Sequence, residues 1–588
     1  MKFAVQLLLA ITLVATAAGQ VFENESVRVE RSLPNLNLGH GCSVALDGNW
    51  MAVGDFAGYR SSSPGFNEGS VDLYKRTDSG WVLHQRLFSP TPEHGGLFGR
   101  RVSLDAENGQ LLVGVPKWSS FINNPGSPYF LSGRAYLFEL NNGQWSHELT
   151  LRPTVPHHAL NLGIDAGTFR HQNFGHSVSI KGDRMAIGAS SALTLPPSTA
   201  PVVVGGLVYT YVRVGGQWTI DQIIEPPQIE WGSTWGSFGA RLDLDRERLV
   251  VSGYSGTQGK VFLFHQSPSG WRLEAHFGSP LPGAGFVNRQ FGYSVSLDGN
   301  RLAVGAPSWS CSNSTCPSLI AIFEKQGQSW VRTQVLDEIN SQPGNGRGVF
   351  GTHIKLKGDH LLASLPGHLQ SGIARGQVHL YKYQTGLGFQ LQTIYRHRER
   401  PISAFNSLLG MEVDADFERG IMIAGDPNYH YSEPASPNGN GSAFGAVLMF
   451  DLSLGQQLTC PGSQNSAGGT GHLSVQGSLA ASDSRLTLHA SQLPPGKLAL
   501  FLYGQSGLPY PIPSGGELCI RGGIFRMLPA GLTGDWGERI LDVDLSVPRE
   551  AQNLMPGTTW AFQVWHRDQF PGSPSTTGTT NAVEVLMQ

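Results

Sequence analysis

The 588-residue sequence is poor in charge and in long hydrophobic runs. Charged residues make up only 14% of it, the formal net charge is −3, and no basic stripe follows the chain. Because a protein that binds nucleic acid needs such a stripe to neutralise phosphates, nucleic acid is not an expected partner. Few segments have the period of an amphipathic helix, whereas 75 glycines and 36 prolines indicate an all-β protein with many turns.

The long apolar run at the start of the chain is the only one that the sequence contains. Lys2 precedes an apolar segment from Phe3 to Val14 and a small-residue stretch that ends at Gly19. This order predicts a secretory signal peptide over residues 1–19, with a retained N-terminal anchor as the alternative. We therefore expect a mature protein that does not span a membrane and is secreted, extracellular or at the cell surface.

Signatures of catalysis are also missing. Gly175 and Gly292 open segments that begin like a nucleophile elbow, but the last glycine of that motif is absent and strands, not helices, are expected to follow. The 19 histidines include no HExxH zinc motif. We assign no catalytic or cofactor-binding residue and expect a protein that is not an enzyme, although an active site assembled from several repeats would leave no motif.

The sequence does contain a repeated segment, seen most clearly as FGYSVSLDGNRLAVGAP at residues 291–307. Its two halves alternate between apolar and polar residues, and Asp298-Gly299-Asn300 between them supplies turn residues, so the segment predicts a tight β-hairpin. Seven copies lie roughly 62 residues apart, a period typical of propellers and solenoids. Their glycines, counted from the first copy, are Gly39, Gly99, Gly175, Gly239, Gly292, Gly351 and Gly410.

Each hairpin is followed by a variable loop and two further strands, which makes four strands per repeat, the content of one propeller blade. An aromatic residue recurs at one position of the fourth strand, which predicts packing between blades. These residues are Trp81, Trp145, Trp218, Trp271, Trp330 and Phe389.

The repeat resembles the FG-GAP repeat of integrin α-subunit head domains and related secreted proteins, over roughly residues 26–458. The resemblance implies a seven-bladed β-propeller, which we place at residues 20–459. The seventh repeat lacks a fourth strand, and residues 26–34 match the pattern of the missing one. We therefore expect Val27 and Val29 to pair with Ala446–Phe450 and close the ring.

Residues 460–588 differ from the repeats in character. A linker-like entry is followed by about seven short alternating runs, which predict a C-terminal antiparallel β-sandwich. In an oxidising compartment Cys311 with Cys316, and Cys460 with Cys519, are disulfide candidates, although four cysteines allow three pairings. We expect Cys42 to be a small buried hydrophobic residue.

Integrin-type blades often carry calcium in the first hairpin turn, and the resemblance raises that possibility here. Calcium requires six to eight oxygen ligands, whereas these turns hold one or two acids each. The nearest match is Asp414, Asp416 and Glu418, where Arg419 stands in the place of a further ligand. We therefore expect ordinary turns, with no metal and no cofactor.

Two sets of loops share one face of a propeller, those between second and third strands and those between blades, and here they are long and aromatic. Amphipathic aromatic side chains on loops suit recognition of proteins or sugars, although they can also fold back onto their own blades. The ligand-face candidates are Trp118, Phe121, Tyr129, Trp231, Trp235, Trp309, Tyr429 and Tyr431.

These features together predict a secreted, non-enzymatic binding or adhesion protein that presents an aromatic loop face to an extracellular protein or glycan. One alternative is a secreted glycan-active enzyme with acidic residues gathered near the central channel. Two carboxylates about 5–10 Å apart in a pocket would favour that alternative. The other is a structural component of an extracellular matrix.

Overall fold

The structure is a computed structural model, and the residues that it describes form strands and turns, with no helix among them. The described residues are 27–30, 39–58, 68–77, 80–91, 96–117, 132–153, 172–191, 193–194, 203–227, 235–255, 258–280, 290–307, 318–337, 349–366, 369–370, 373–374, 376–395, 408–428, 445–452, 457–460, 465–466, 471–477, 485–491, 493–512, 517–534, 537–544, 554, 558–568, 577–580 and 582–586. Within these ranges no helix is long and apolar enough to cross a membrane.

The fold is a seven-bladed β-propeller followed by a β-sandwich, and each blade is built on a four-stranded antiparallel sheet. Strand β1 (Val27–Glu30) precedes the first blade. The first three blades contain β2 (His40–Asp47), β3 (Trp50–Asp55), β4 (Ser70–Thr77) and β5 (Gly80–Leu87); β6 (Arg101–Asp105), β7 (Gln110–Val115), β8 (Arg134–Asn141) and β9 (Gln144–Leu151); and β10 (Phe174–Lys181), β11 (Arg184–Ala189), the short pair β12 (Leu193–Thr194) and β13 (Val203–Val204), β14 (Leu207–Val214) and β15 (Gln217–Ile224).

The remaining blades follow the same plan. They contain β16 (Trp235–Gly236), β17 (Leu242–Leu244), β18 (Arg248–Ser255), β19 (Gln258–Ser267) and β20 (Gly270–Gly278); β21 (Ser294–Asp298), β22 (Arg301–Ala306), β23 (Leu319–Gln326) and β24 (Ser329–Asp337); β25 (Ile354–Lys357), β26 (His360–Leu365), the short pair β27 (Leu369–Gln370) and β28 (Ile373–Ala374), β29 (Gln377–Gln384) and β30 (Gly388–Tyr395); and β31 (Val413–Asp416), β32 (Ile421–Asp426) and β33 (Ala446–Asp451).

Strand β1 completes the seventh blade. It runs antiparallel to β33, with Val27 opposite Met449 and Val29 opposite Val447, so the expected pairing of the N-terminal strand is present. The apolar core supports the same closed ring, because it consists of seven clusters, each shared by two neighbouring blades. The last cluster joins residues of blade one, such as Val53, to residues of blade seven.

The first residue of each repeat motif is wedged between two blades. Phe98, Phe174 and Phe291 are fully buried, and a glycine at or just before the start of the third strand of the preceding blade leaves room for the phenylalanine backbone. In the first repeat, however, His40 occupies the phenylalanine position, and Gly41 has the left-handed φ of +85° that the motif glycines share. The assignment of Gly39 as the first motif glycine is therefore wrong by two residues.

The recurring fourth-strand aromatic residues pack between blades, as predicted. Trp81, Trp145 and Trp271 are buried within inter-blade clusters. The side-chain amide of Gln85, in blade one, accepts the backbone N–H of Trp145 at 2.9 Å and donates to its carbonyl oxygen at 2.8 Å. Gln334 clamps the backbone of the next blade's aromatic residue in the same way. A glutamine four residues after the tryptophan is the signal that sequence reading missed.

The C-terminal region is an antiparallel sandwich of two sheets. A shared core that includes Leu473, Leu488, Phe501 and Phe562 fills the space between them. Its strands are β34 (Gln457–Cys460), β35 (His472–Gly477), β36 (Arg485–Ser491), β37 (Leu498–Pro511), β38 (Glu517–Leu532), β39 (Arg539–Asp544), β40 (Thr559–Arg567), β41 (Thr577–Thr579) and β42 (Ala582–Leu586).

The cysteines divide between the two regions. Cys42 is a free, buried residue, as expected, and burial raises the pKa of its thiol to about 12. Cys519 is fully buried and disulfide-bonded. Its pairing with Cys460 stays a prediction, because the side chain of Cys460 lies outside the described residues, as do Cys311 and Cys316 entirely.

Ring closure by β1 makes a testable prediction. Deleting residues 20–34 should lower the melting temperature of the propeller by several degrees, because it removes the outer strand of blade seven. Deleting residues 20–25 alone, which precede β1, is the matched control and should leave the melting temperature unchanged. A longer deletion that melts like residues 20–588 would contradict this role for β1.

The close approach of blades makes a second prediction. A Cβ atom at Gly305 would collide with the backbone carbonyl oxygen of Gly351 in the next blade. We therefore expect Gly305→Ala to lower the free energy of unfolding by about 1–3 kcal/mol, the usual cost of overpacking. Gly278→Ala is the control, since a Cβ there meets no atom within 4 Å. Equal denaturant midpoints for the two variants would argue against the inter-blade contact.

Candidate functional site

The first strands of the blades line the central channel of the propeller. Arg101 lies in blade two and Glu412 in blade seven, with the whole of blade one between them along the ring. Their side chains nevertheless form an ion pair, with Nη1 2.8 Å from Oε2. Such a contact is possible only across the channel, so both side chains project into it. The end of the channel where these strands begin is called the channel mouth below.

Three guanidinium groups meet at the channel mouth. Arg100 and Arg101 are consecutive, and the pKa of Arg100 is lowered first by the neighbouring charge of Arg101 and then by burial. Arg241, from blade four, lies over the ring of Tyr293 at 5.0 Å and donates from Nη1 to the carbonyl oxygen of Ala240 at 3.0 Å. The mouth is therefore strongly basic.

Glu412 is the acidic residue that the structure places beside these arginines. Burial alone would raise the pKa of its carboxyl group, but Arg101 and His353 outweigh burial and lower the pKa to about 2. Nε2 of His353 lies 3.5 Å from Oε1 of Glu412. The backbone N–H of Val413 donates to Nδ1 of His353, so the proton of this ring lies on Nε2, facing the carboxylate.

His176 is the second histidine of the mouth. Burial lowers the pKa of its ring to about 3, and the charges of Arg241 and Arg101 act in the same direction. The ring is therefore neutral near pH 7. Nδ1 lies 3.2 Å from the carbonyl oxygen of Ala240, which can only accept, so Nδ1 carries the proton. The lone pair of Nε2 is left as an acceptor.

The middle of the channel is crossed by an ion-pair network. Nζ of Lys355 lies 2.7 Å from Oδ1 of Asp414. Burial would lower the pKa of Lys355, but Asp414 and Asp243 outweigh burial and raise it. Asp243 also accepts the backbone N–H of Leu297, in the next blade, at 2.9 Å. These side chains hold the blades together across the channel.

Acids at the far ends of several first strands link the hairpin turn of one blade to that of the next. A carboxylate oxygen of Asp105 accepts the backbone N–H of Gly182 at 2.6 Å, and one of Asp298 accepts that of Gly358 at 2.7 Å. Asp245 makes the equivalent bond to the blade that follows it. The acids of these turns therefore have a structural role. One or two acids per turn, too few to bind calcium, already suggested such a role.

The carboxylates of the candidate calcium turn are occupied by donors of the protein itself. Oδ2 of Asp414 accepts the N–H of Leu46 at 2.9 Å, and Oδ2 of Asp416 accepts Nη1 of Arg419 at 2.6 Å. Among the described residues, no group of three histidine, cysteine, aspartate or glutamate side chains could hold a metal ion. Glu418, the third candidate, joins no such group.

The side chains of the aromatic ligand-face candidates lie outside the described part of the chain. Trp235 lies in β16, whose backbone pairs with β18, but its side chain is outside the described part of the chain. The other candidates lie outside it entirely: Trp118, Phe121, Tyr129, Trp231, Trp309, Tyr429 and Tyr431.

The backbone nevertheless places the attachment points of these segments. Residues 118, 309 and 429 follow the ends of β7, β22 and β32. These second strands run antiparallel to the first strands, so their last residues lie at the channel mouth. The aromatic segments therefore start from the same end of the propeller as the arginine cluster.

No protein-family model and no curated protein matches this chain. The solved structures that resemble it include a protein from Lactobacillus plantarum, with 12% identity, 60% of this chain and 84% of that chain covered, and a TM-score of 0.37. Another is the periplasmic gluconolactonase PpgL of Pseudomonas aeruginosa, with 11% identity, 67% of this chain and 98% of that chain covered, and a TM-score of 0.38. A third is polysaccharide lyase Uly1, with 10% identity, 74% of this chain and 98% of that chain covered, and a TM-score of 0.39. At such identities and TM-scores the resemblance does not bear on function.

The occupied carboxylates of the calcium turn lead to a prediction. Millimolar calcium should not raise the melting temperature, and chelator should not lower it, since only a ligand that binds the native state stabilises it. Thermal melting with calcium and with chelator measures both effects. A rise with calcium that disappears in the Asp414→Ala, Asp416→Ala double variant would place a calcium site in blade seven.

The lowered pKa of His176 predicts a dependence of stability on pH. As the pH falls below 6.5 toward 3, the unfolded chain takes up a proton at this histidine before the folded chain does, so stability is lost across that window. We expect the melting temperature of His176→Gln to fall less than that of wild type between pH 7 and pH 4.5. The control is His147→Gln, an exposed histidine, which should behave like wild type. Identical losses in all three proteins would show that His176 titrates normally.

Proposed function

We propose that this protein is an exported, non-enzymatic binding protein of the FG-GAP type that holds an extracellular protein or glycan at the channel mouth. The observation that carries the proposal is the difference between the two ends of the propeller. At the far end, acids such as Asp105 and Asp298 accept hydrogen bonds that connect short turns to the next blade. At the mouth, the aromatic segments start and three arginines converge.

Propellers build binding surfaces from the loops of one end, because the blades hold those loops at fixed positions around an axis. The mouth of this propeller offers both components of a recognition surface. Charged groups provide orientation, and large amphipathic side chains provide contact area. The inferred signal peptide and the candidate disulfides are in keeping with a role outside the cell.

The proposal is tested by applying the mature chain, residues 20–588, to an array of glycans and extracellular proteins. For a ligand found there, Trp118→Ala with Trp309→Ala should weaken binding with little change in melting temperature. Each aromatic anchor contributes on the order of 2 kcal/mol to such an interface. Trp81→Ala, which removes a buried packing residue, should instead destabilise the fold.

Two results would overturn the proposal. One is a loop double variant that melts early and binds normally, which would make those tryptophans core residues. The other is binding that survives the loop variants and is carried by residues 460–588 alone, which would move the ligand site to the C-terminal sandwich.

A glycan-active enzyme is the second candidate, and His176 is the observation that favours it. The unprotonated Nε2 of this imidazole could accept a proton, and the arginines beside it could orient an acidic substrate. Incubation with a polyuronate, followed by assay for new reducing ends and for unsaturated products, separates the candidates. Products that disappear in His176→Ala would establish the enzyme, whereas binding without products supports the binding protein.

A further inference from the structure

The larger sheet of the C-terminal sandwich exposes apolar side chains on its outer face. Phe525 and Met527 of β38 pack into the core between the two sheets. Because successive residues of a strand point to opposite faces, Arg526 and Leu528 lie on the outer face. Leu528 and Leu532 are 71% and 65% exposed. Strand β38 therefore presents two leucine side chains to solvent.

The exposed leucines adjoin a partly buried apolar cluster on the same face. Leu532 is opposite Leu498 of β37, and Leu500 of β37 is opposite Trp565 of β40. Leu500 and Trp565 both pack against buried Leu502. The leucines of β38 therefore extend one contiguous apolar surface, which is more than isolated exposed residues would be. This surface, called the leucine patch below, consists of Leu498, Leu500, Leu528, Leu532 and Trp565.

Basic side chains border the leucine patch. Arg526 lies two residues before Leu528, and Arg567 lies two residues after Trp565, so each shares the outer face with its apolar neighbour. Lys497 immediately precedes β37. All three basic residues are exposed, and none of them forms an ion pair with a described residue. The patch thus combines an apolar centre with a basic border.

The position of the patch in the sandwich leaves it accessible to a large partner. The order of strands in this sheet is β34-β42-β40-β37-β38. The chain enters the sandwich from the propeller through β34, so β37 and β38 lie at the opposite edge of the sheet. The leucine patch is therefore at the edge farthest from the connection to the propeller.

From these observations we infer that the leucine patch docks the protein on an anionic lipid surface. The leucine side chains enter the boundary between headgroups and acyl chains, and the basic border meets the headgroup phosphates. A second copy of this chain fits the patch less well, because a symmetric contact centred on it would bring the two basic borders together. The inference goes beyond the proposed function, since it gives the sandwich a role in attachment.

The test is co-sedimentation of residues 20–588 with vesicles of phosphatidylcholine alone or of phosphatidylcholine mixed with phosphatidylglycerol. We expect the protein to sediment with the mixed vesicles and much less with the neutral ones. Leu528→Ser with Leu532→Ser should weaken binding roughly tenfold or more, since burial of a single leucine side chain contributes about that factor. Arg526→Gln with Lys497→Gln should weaken binding to the mixed vesicles several-fold.

The propeller supplies matched controls for both double variants. Leu387, in the turn between β29 and β30, is 66% exposed, so Leu387→Ser removes an equally exposed leucine. Arg246→Gln removes an exposed arginine from the hairpin turn of blade four. Both controls should sediment like wild type, and unchanged melting temperatures show that each variant is folded.

Four results would overturn the inference: no sedimentation with the mixed vesicles, equal sedimentation with the neutral ones, a leucine double variant that binds like wild type, or an equal loss in Leu387→Ser. A dimer in light scattering that the leucine double variant dissociates would also overturn it, because a second copy would then cover the patch. These outcomes are separate from the proposed function, which is tested through Trp118 and Trp309 with array ligands.

Discussion

Contact between backbones of neighbouring blades is the constraint on which the rest of this propeller depends. At Gly114 and Gly305, in second strands, a Cβ atom would run into the carbonyl oxygen of the motif glycine of the next blade. The motif glycine, for example Gly351 with φ +77°, has a conformation that side chains rarely adopt. Only glycine meets both demands, which explains why the repeat is recognised by glycines more than by any apolar residue.

The close approach of neighbouring blade backbones also determines which first-strand positions can carry a side chain that reaches the channel. In blades three and five a serine on the first strand, Ser177 or Ser294, donates its hydroxyl to the next motif glycine at 2.7 or 2.6 Å. In blade four the serine is on the second strand instead: Ser252 accepts the backbone N–H of Arg241 at 3.0 Å. Because the serine is on the second strand in this blade, an arginine can occupy the first-strand position.

The same exchange in blade six releases the first-strand position for His353, whose N–H is accepted by Ser364 at 2.8 Å. Ionisable mouth residues therefore occupy a position that serine holds in other blades. An alignment of the seven repeats shows this exchange. One position, otherwise held by a small residue, is arginine, histidine or glutamate in some blades. Motifs that run along the chain do not reveal this exchange, whereas comparison of that column between blades does.

The blade count, the four-strand unit, the inter-blade aromatic residues and the closure by β1 could all be predicted, because each follows from local pattern and period. In the first repeat the pattern places the motif two residues too early, because His40 replaces the expected phenylalanine. The mouth could not be predicted in that way. Arg101 and Glu412 are separated by 311 positions and meet only because seven blades close a ring.

Ring closure also explains why a carboxylate is tolerated at the mouth. Glu412 is buried, a position in which an isolated carboxylate is strongly disfavoured. It stays ionised because Arg101 reaches it across the channel and His353 from the neighbouring blade. One carboxylate placed so deeply fixes Arg101 at the channel mouth. The fold thus builds a rigid basic mouth from side chains that, on an open chain of blades, would never come together.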